Sequence, residues 1–297
     1  MKNAPFEYQA PRTVDEVVAL LAEHADDAKV LAGGQSLVPL LAMRLARPAQ
    51  LIDINGVDGL SGIRPLNGRG VALGALTRER EAEGSALVTE RLPVLAEALP
   101  LIGHVSIRNR GTIGGSIAHA DASAELPAVA VVTGGEMVVR SSRGERVVAA
   151  DEFFAGHFTT SMADDELLTE VRIPSGPDGA GWAFHEIVRR HGDFALVGVA
   201  AMLALDGDRI GEARLALIGV ADRAIRATGA EAALTGQSTD AAAFEAAARE
   251  ATKDLEPASD IHGSAEFRRH LAAVAVRRAL ATAASRVGNR AGNGGPS

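Results

Sequence analysis

The chain has 297 residues, a formal net charge of −8 and no cysteine; apolar residues make up 47% of it and aromatic residues only 3%. These figures exclude disulfides and any iron–sulfur cluster held by the chain's own thiolates, and they argue against nucleic-acid binding, which needs a clustered basic surface. They also leave Trp182, Tyr8 and eight phenylalanines as the whole supply of rings for stacking on a ligand.

The length suggests two domains. No apolar run approaches the roughly 20 residues of a membrane span, and Met1-Lys2-Asn3-Ala4-Pro5 has no apolar signal core, so a soluble cytoplasmic protein is expected. Thr13-Val14-Asp15-Glu16 reads as a capping box, and Val14, Val17, Val18 and Leu21 continue it at helical spacing. Residues 28–32 predict a strand that runs straight into Gly33-Gly34. Residues 37–45 predict a short helix stopped near Pro48, and 50–54 a second strand, so 1–55 form a small α/β unit. A second unit, 56–176, opens with a strand at 70–76 and helices at 78–83 and 94–99. After Gly114-Gly115 come a helix at 125–132, a hairpin pairing 136–139 with 146–148 across Ser141-Ser142-Arg143-Gly144, and a strand at 167–173. Pro174-Ser175-Gly176-Pro177-Asp178-Gly179 is the strongest linker in the chain and places a domain boundary between 1–176 and 177–287. The second domain predicts three strands, 183–188, 195–205 and 213–219, with Asp206-Gly207 turning between the last two. Helices follow at 227–234, 241–252 and 265–285, and residues 288–297 predict a disordered tail.

Two glycine runs carry the chemistry. The first is Val30-Leu31-Ala32-Gly33-Gly34-Gln35-Ser36-Leu37; the second is Gly111-Thr112-Ile113-Gly114-Gly115-Ser116-Ile117-Ala118-His119-Ala120-Asp121. Glycine permits positive φ and leaves no Cβ between backbone and ligand. Successive N–H groups in such a turn converge into an anion-binding concavity. Either run alone reads as an ordinary turn. Two in one predicted domain suit the two phosphates of a single diphosphate, which makes a dinucleotide the leading ligand. The pattern is neither the Rossmann Gly-x-Gly-x-x-Gly nor a P-loop. His119 and Asp121 have no third ligand nearby, and His185 and His191 lack a zinc spacing. No nucleophile elbow occurs, so Ser36 reads as a phosphate donor rather than a nucleophile.

The paired runs resemble the FAD-binding loops of the medium subunits of molybdenum hydroxylases, the group that includes carbon monoxide dehydrogenase and the flavin portion of xanthine dehydrogenase. The resemblance covers nearly the whole chain, from Phe6-Glu7-Tyr8 to Arg189-Arg190-His191-Gly192-Asp193-Phe194-Ala195-Leu196-Val197-Gly198-Val199-Ala200. It implies an α+β architecture: an FAD-binding domain of the vanillyl-alcohol oxidase (PCMH) type with two subdomains, then a C-terminal domain with a three-stranded antiparallel sheet and helices. It implies FAD on this chain, contacted by Val30, Leu31, Ala32, Gly33, Gly34, Gln35, Ser36 and Leu37 of the first loop and by Thr112, Ile113, Gly114, Gly115 and Ser116 of the second. It adds Ile102 as an apolar contact, Glu125 toward the adenosine part, Leu168 as a backbone contact near adenine, and His185 where relatives carry a lysine near the flavin. Asp193 and Phe194 fall on a mobile loop over the isoalloxazine ring, where a buried core role for Phe194 is the alternative. No catalytic residue and no metal ligand are implied in this chain. The partners implied are a large molybdopterin subunit and a small subunit with two [2Fe–2S] clusters, as a dimer of heterotrimers. Two other readings stand beside this one: a stand-alone FAD-dependent oxidase, and a scaffold that has lost its cofactor.

Overall fold

The structure, a computed structural model, describes residues 2–288. The expected tail therefore lies outside the described residues from position 289 onward.

The N-terminal unit comprises β1 (Glu7–Gln9), α1 (Val14–His24), β2 (Ala28–Leu31), α2 (Leu37–Ala42) and β3 (Gln50–Asp53). Its three strands run parallel in the order β1-β3-β2. Parallel strands need crossovers: α1 carries the chain past β3 from β1 to β2, α2 lies in the connection between the neighbours β2 and β3, and Val17 and Leu21 of α1 bury with Ile52 of β3. Both halves of the capping box form, with Glu16 N donating to Thr13 Oγ1 (3.2 Å) and Thr13 N to the Glu16 carboxylate (3.1 Å).

The second unit carries β4 (Ile63–Pro65), β5 (Gly70–Gly74), α3 (Glu79–Glu83), α4 (Ala86–Arg91), α5 (Pro93–Ala98), α6 (Val105–Arg108), α7 (Ile113–His119) and α8 (Glu125–Thr133). After them come β6 (Glu136–Ser141), β7 (Gly144–Ala149), α9 (Ala150–Phe153), β8 (Phe154–Gly156), β9 (Thr159–Thr160) and β10 (Leu167–Pro174). Five strands pair antiparallel in the order β4-β5-β10-β6-β7, so the last strand of the unit lies at the centre of its sheet. The expected hairpin closes at Ser141 and Gly144.

The C-terminal sheet consists of β11 (Gly181–Ile187), β12 (Val197–Asp206), β13 (Arg209–Ile218) and β14 (Ile225–Arg226) in antiparallel sequence order. The three expected strands are there, and the two-residue β14 extends the sheet to four. Helices α10 (Thr228–Leu234), α11 (Ala241–Thr252) and α12 (Ala265–Arg286) cover one face. Side chains alternate across a strand. Trp182, Phe184, Ala200, Met202, Ala216 and Ile218 join the core of the preceding unit, whereas Ala183, Val199, Ala201, Leu203, Leu215 and Leu217 pack toward the helices. The sheet is thus a middle layer. Every residue of α8 is buried, as expected of a helix that is apolar all round and has packing on all sides.

Candidate functional site

The two glycine runs meet. A Cβ on Gly33 would stand 2.5 Å from the Arg110 carbonyl oxygen and 2.9 Å from Gly111 Cα, so the first loop lies directly against the segment entering the second. A Cβ on Gly115 would stand 3.7 Å from Ala32 Cβ, and one on Gly114 would fall 2.5 Å from Ala75 Cβ and 2.7 Å from its Cα. Of these four glycines only Gly34 takes a left-handed conformation (φ +73°). The others are glycine because a side chain has no room.

The two runs nevertheless differ from the pair of equivalent turns read in the sequence. The first is a loop whose N–H groups at Gly33, Gly34, Gln35 and Ser36 find no acceptor among the described residues. The second is the first turn of α7, capped by Thr112, and its amides are committed. Ile113 N donates to the Thr77 carbonyl (3.0 Å), Gly114 N to Ala75 (2.9 Å), Gly115 N to Thr112 Oγ1 (3.1 Å) and Ser116 N to the Thr112 carbonyl (3.1 Å). The amide cradle comes from the first run; the second supplies a close wall and the Ser116 hydroxyl.

A polar seam ties the two together. Asn55 Nδ2 donates to the Ala32 carbonyl (2.8 Å), Arg78 donates to Asn55 Oδ1 (2.7 Å), and the other arm of Arg78 donates to the Arg110 carbonyl. Arg78 also stands opposite Thr112 in an isolated antiparallel bridge. Asp53 accepts from the Tyr8 hydroxyl (2.6 Å) and from Asn55. Burial alone would raise the Asp53 carboxyl, but the Tyr8 and Asn55 hydrogen bonds and the charge of Arg110 hold it below the usual range.

A second group sits where the segment at 102–104 meets the loop at 191–194. Ile102 is partly buried on the core, and its carbonyl accepts from Arg108 (3.0 Å). Beside it, Gly192 (φ +86°) lies so close to the His104 ring that a Cβ would approach to 2.6 Å, and the His104 and His191 ring centroids are 6.0 Å apart. This contact docks the loop bearing Asp193 and Phe194 on the Ile102 segment. Phe194 is 67% exposed, which excludes the buried core role.

Glu125, the first residue of α8, is buried, and burial with the charge of Asp121 pushes its carboxyl up to about 7. Burial and then the charge of Glu125 push Glu79 and Glu186 each up to about 8. Leu168 turns its side chain into the core beside the β10 bulge, leaving only its backbone for any ligand. His185 faces the helices rather than the cleft. It pairs with Val199, and burial and then the charge of Arg278 lower its imidazole. Its neighbour Glu186 occupies the face toward the first domain, with one buried carboxyl oxygen lacking a partner.

Arg78, Asn55, Glu79 and Glu186 were not singled out in the sequence. Asn55, two residues after Asp53 at the end of a strand, carried a local turn signal; the others belong to no motif.

The family models match on both sides of the linker. Residues 4–176 match the FAD-binding domain of molybdopterin dehydrogenases, and residues 182–283 match the C-terminal domain of carbon monoxide dehydrogenase flavoproteins. The chain belongs to the FAD-binding medium subunits of the molybdenum hydroxylases. It is 43% identical over 287 residues to the alpha subunit of the 6-hydroxypseudooxynicotine dehydrogenase complex of Paenarthrobacter nicotinovorans, covering 96% of this chain and 97% of that one. The fold superposes on carbon monoxide dehydrogenase from Hydrogenophaga pseudoflava in a form lacking the Mo-pyranopterin moiety of its cofactor, with a TM-score of 0.94 at 42% identity, covering 97% of this chain and 100% of that one. It also superposes on quinoline 2-oxidoreductase from Pseudomonas putida 86, with a TM-score of 0.91 at 41% identity, covering 96% and 99%. The residues present fit FAD: the first loop offers four free amides, and Ser36 and Ser116 add two hydroxyls. Among the described residues no helix is long and apolar enough to cross a membrane.

Proposed function

We propose that this chain is the electron-transferring FAD subunit of a heteromeric molybdenum hydroxylase. It would work with a large molybdopterin subunit that oxidises a small molecule and a small subunit that carries [2Fe–2S] clusters, assembled as a dimer of heterotrimers. The observation that carries the reading is the close packing of the first loop, with its free amides at 33–36, against the second run, a contact that the absence of a Cβ at Gly33, Gly114 and Gly115 permits. When bound, FAD supplies the redox chemistry, receiving electrons from a cluster and yielding them to an external acceptor.

The chain's own residues bind and orient. The free amides of the first loop hold the diphosphate, Ser36 and Ser116 add hydroxyl donors, and Ile102 and Phe194 offer apolar surface to the ring system. Burial pushes Glu79 and Glu186 up to about 8, so both buried carboxyls favour the protonated, neutral form near pH 7. The alternative of a stand-alone oxidase needs a cap over the flavin with its own substrate pocket. The C-terminal sheet is committed on both faces, to the first domain and to α10–α12, and leaves no such cap.

Purified chain titrated with FAD should quench flavin fluorescence at one equivalent. Coexpression with cluster-bearing and molybdopterin-bearing partners should give a complex whose mass fits two copies of each. A folded chain that takes up no FAD, or that is reduced by an organic substrate without partners, would sink the reading.

A further inference from the structure

The seam between the loops holds two guanidinium groups that the family motifs do not include. Arg78, at the start of α3, is half-buried and spends its fork on two neutral oxygens, the Arg110 carbonyl and Asn55 Oδ1. A guanidinium normally seeks a carboxylate or phosphate whose geometry matches its donors. Arg110 is exposed, makes no side-chain hydrogen bond among the described residues, and its backbone is the one that Gly33 abuts. The two cations act on each other unfavourably. Burial and then Arg110 lower Arg78, with only partial relief from Asp53 and from exposed Glu81. Asp53, the nearby anion, is already shared with Tyr8 and Asn55. Two like charges beside a row of free amides repel, and a dianion held between them offsets that repulsion.

We infer that Arg78 and Arg110 are the counter-charges of the diphosphate, and that Arg78 is also the positioning residue whose two-armed bridge sets the spacing of the loops. The inference rests on the FAD reading for the identity of the ligand but not for its charge.

The test uses the full chain stripped of cofactor and two probes, inorganic pyrophosphate and FAD, titrated at low and high salt; riboflavin, which has no phosphate, is the control. Arg110→Gln removes charge from an exposed position and leaves the bridge carbonyl in place. It should weaken pyrophosphate and FAD about three- to tenfold and flatten the salt dependence, with riboflavin unchanged. Arg78→Gln should weaken FAD about ten- to a hundredfold. Arg78→Lys, which keeps the charge without the fork, should restore the salt dependence but only part of the affinity. Should Arg78→Gln fail to fold, Arg110→Gln still decides the charge role and Arg78→Lys the bridge. Unchanged pyrophosphate affinity and salt dependence in Arg110→Gln would overturn the charge role, and full affinity in Arg78→Lys would overturn the bridge. A wild-type chain that binds pyrophosphate but not FAD would instead fell the FAD reading and leave the counter-charge assignment standing.

Discussion

Gly33→Ala is the most direct probe of the cradle. The new Cβ would sit 2.5 Å from the Arg110 carbonyl oxygen, against the 3.4 Å at which ordinary contact begins, so loop or backbone must move by about 0.9 Å. The atom it meets is backbone, already held by Arg78, and does not swing aside as a side-chain end does. Overpacking of this kind costs about 1–3 kcal/mol of stability. Binding suffers separately, because a shift of that size takes one or two amides out of reach of phosphate oxygens. Each hydrogen bond to a charged group is worth about 1.5–3 kcal/mol, so FAD affinity should fall about ten- to a hundredfold per bond lost. Gly34→Ala is the comparison. Its φ of +73° strains any L side chain by about 1–2 kcal/mol, but its neighbours are the side chains of Leu31 and Val38 at 3.1 Å, so it strains one loop without prising the two apart. FAD titration by fluorescence quenching, with urea melts of the apo chain, separates the two costs. A folded Gly33→Ala chain that binds FAD within threefold of wild type would falsify the cradle as described.

Three further outcomes are expected. Glu79 and Glu186 at about 8 and Glu125 at about 7 lie above their ordinary 4.5. The folded apo chain therefore holds protons that the unfolded chain releases, and stability should fall as pH rises from about 5 to 8, by up to about 1.4 kcal/mol per unit for each such group. Urea melts at pH 6 and 8 measure this, Glu79→Gln should shrink the difference, and a flat or rising profile contradicts the assignment. Glu97→Ala removes the acceptor of Phe184 N (2.9 Å) and the partner of Arg286, so it should lower stability by about 1–3 kcal/mol; a melt within 0.5 kcal/mol, about the scatter of surface substitutions, argues that Glu97 is not a link between the domains. Arg268→Met removes the donor to the Leu196 and Gly219 carbonyls and the ion-pair partner of Asp260. It should cost about 2–3 kcal/mol, measured the same way, and an unchanged midpoint would show that water replaces it.

Local rules written into short stretches were readable in advance. The capping box at Thr13 and Glu16, the 136–149 hairpin and the Asp206-Gly207 turn formed as their residues dictate, and the three C-terminal helices formed within a residue or two of their expected ends. The second glycine run was read as a turn because glycine permits positive φ, but neither Gly114 nor Gly115 adopts one. What makes it helical is distant: Gly114 packs on Ala75, and two of its amides are anchored on Thr77 and Ala75. Parity decided His185 and Glu186. A single residue separates the two faces of β11, and which face meets the first domain depends on α8, sixty residues earlier in sequence. Arg78 and Glu79 matter through partners at 53–55 and 110–125, which no window along the chain brings together.

One buried cluster runs unbroken from Val71 and Leu73 through α8 to Trp182, Phe184, Met202 and Ile218. A protease nick in the glycine-proline stretch at 174–179 should therefore leave both fragments clasped in an obligate noncovalent pair. Expressed apart, each half would present a bare oily face and precipitate. The boundary along the chain is a seam in the gene product's text, while the mechanical unit is the whole molecule.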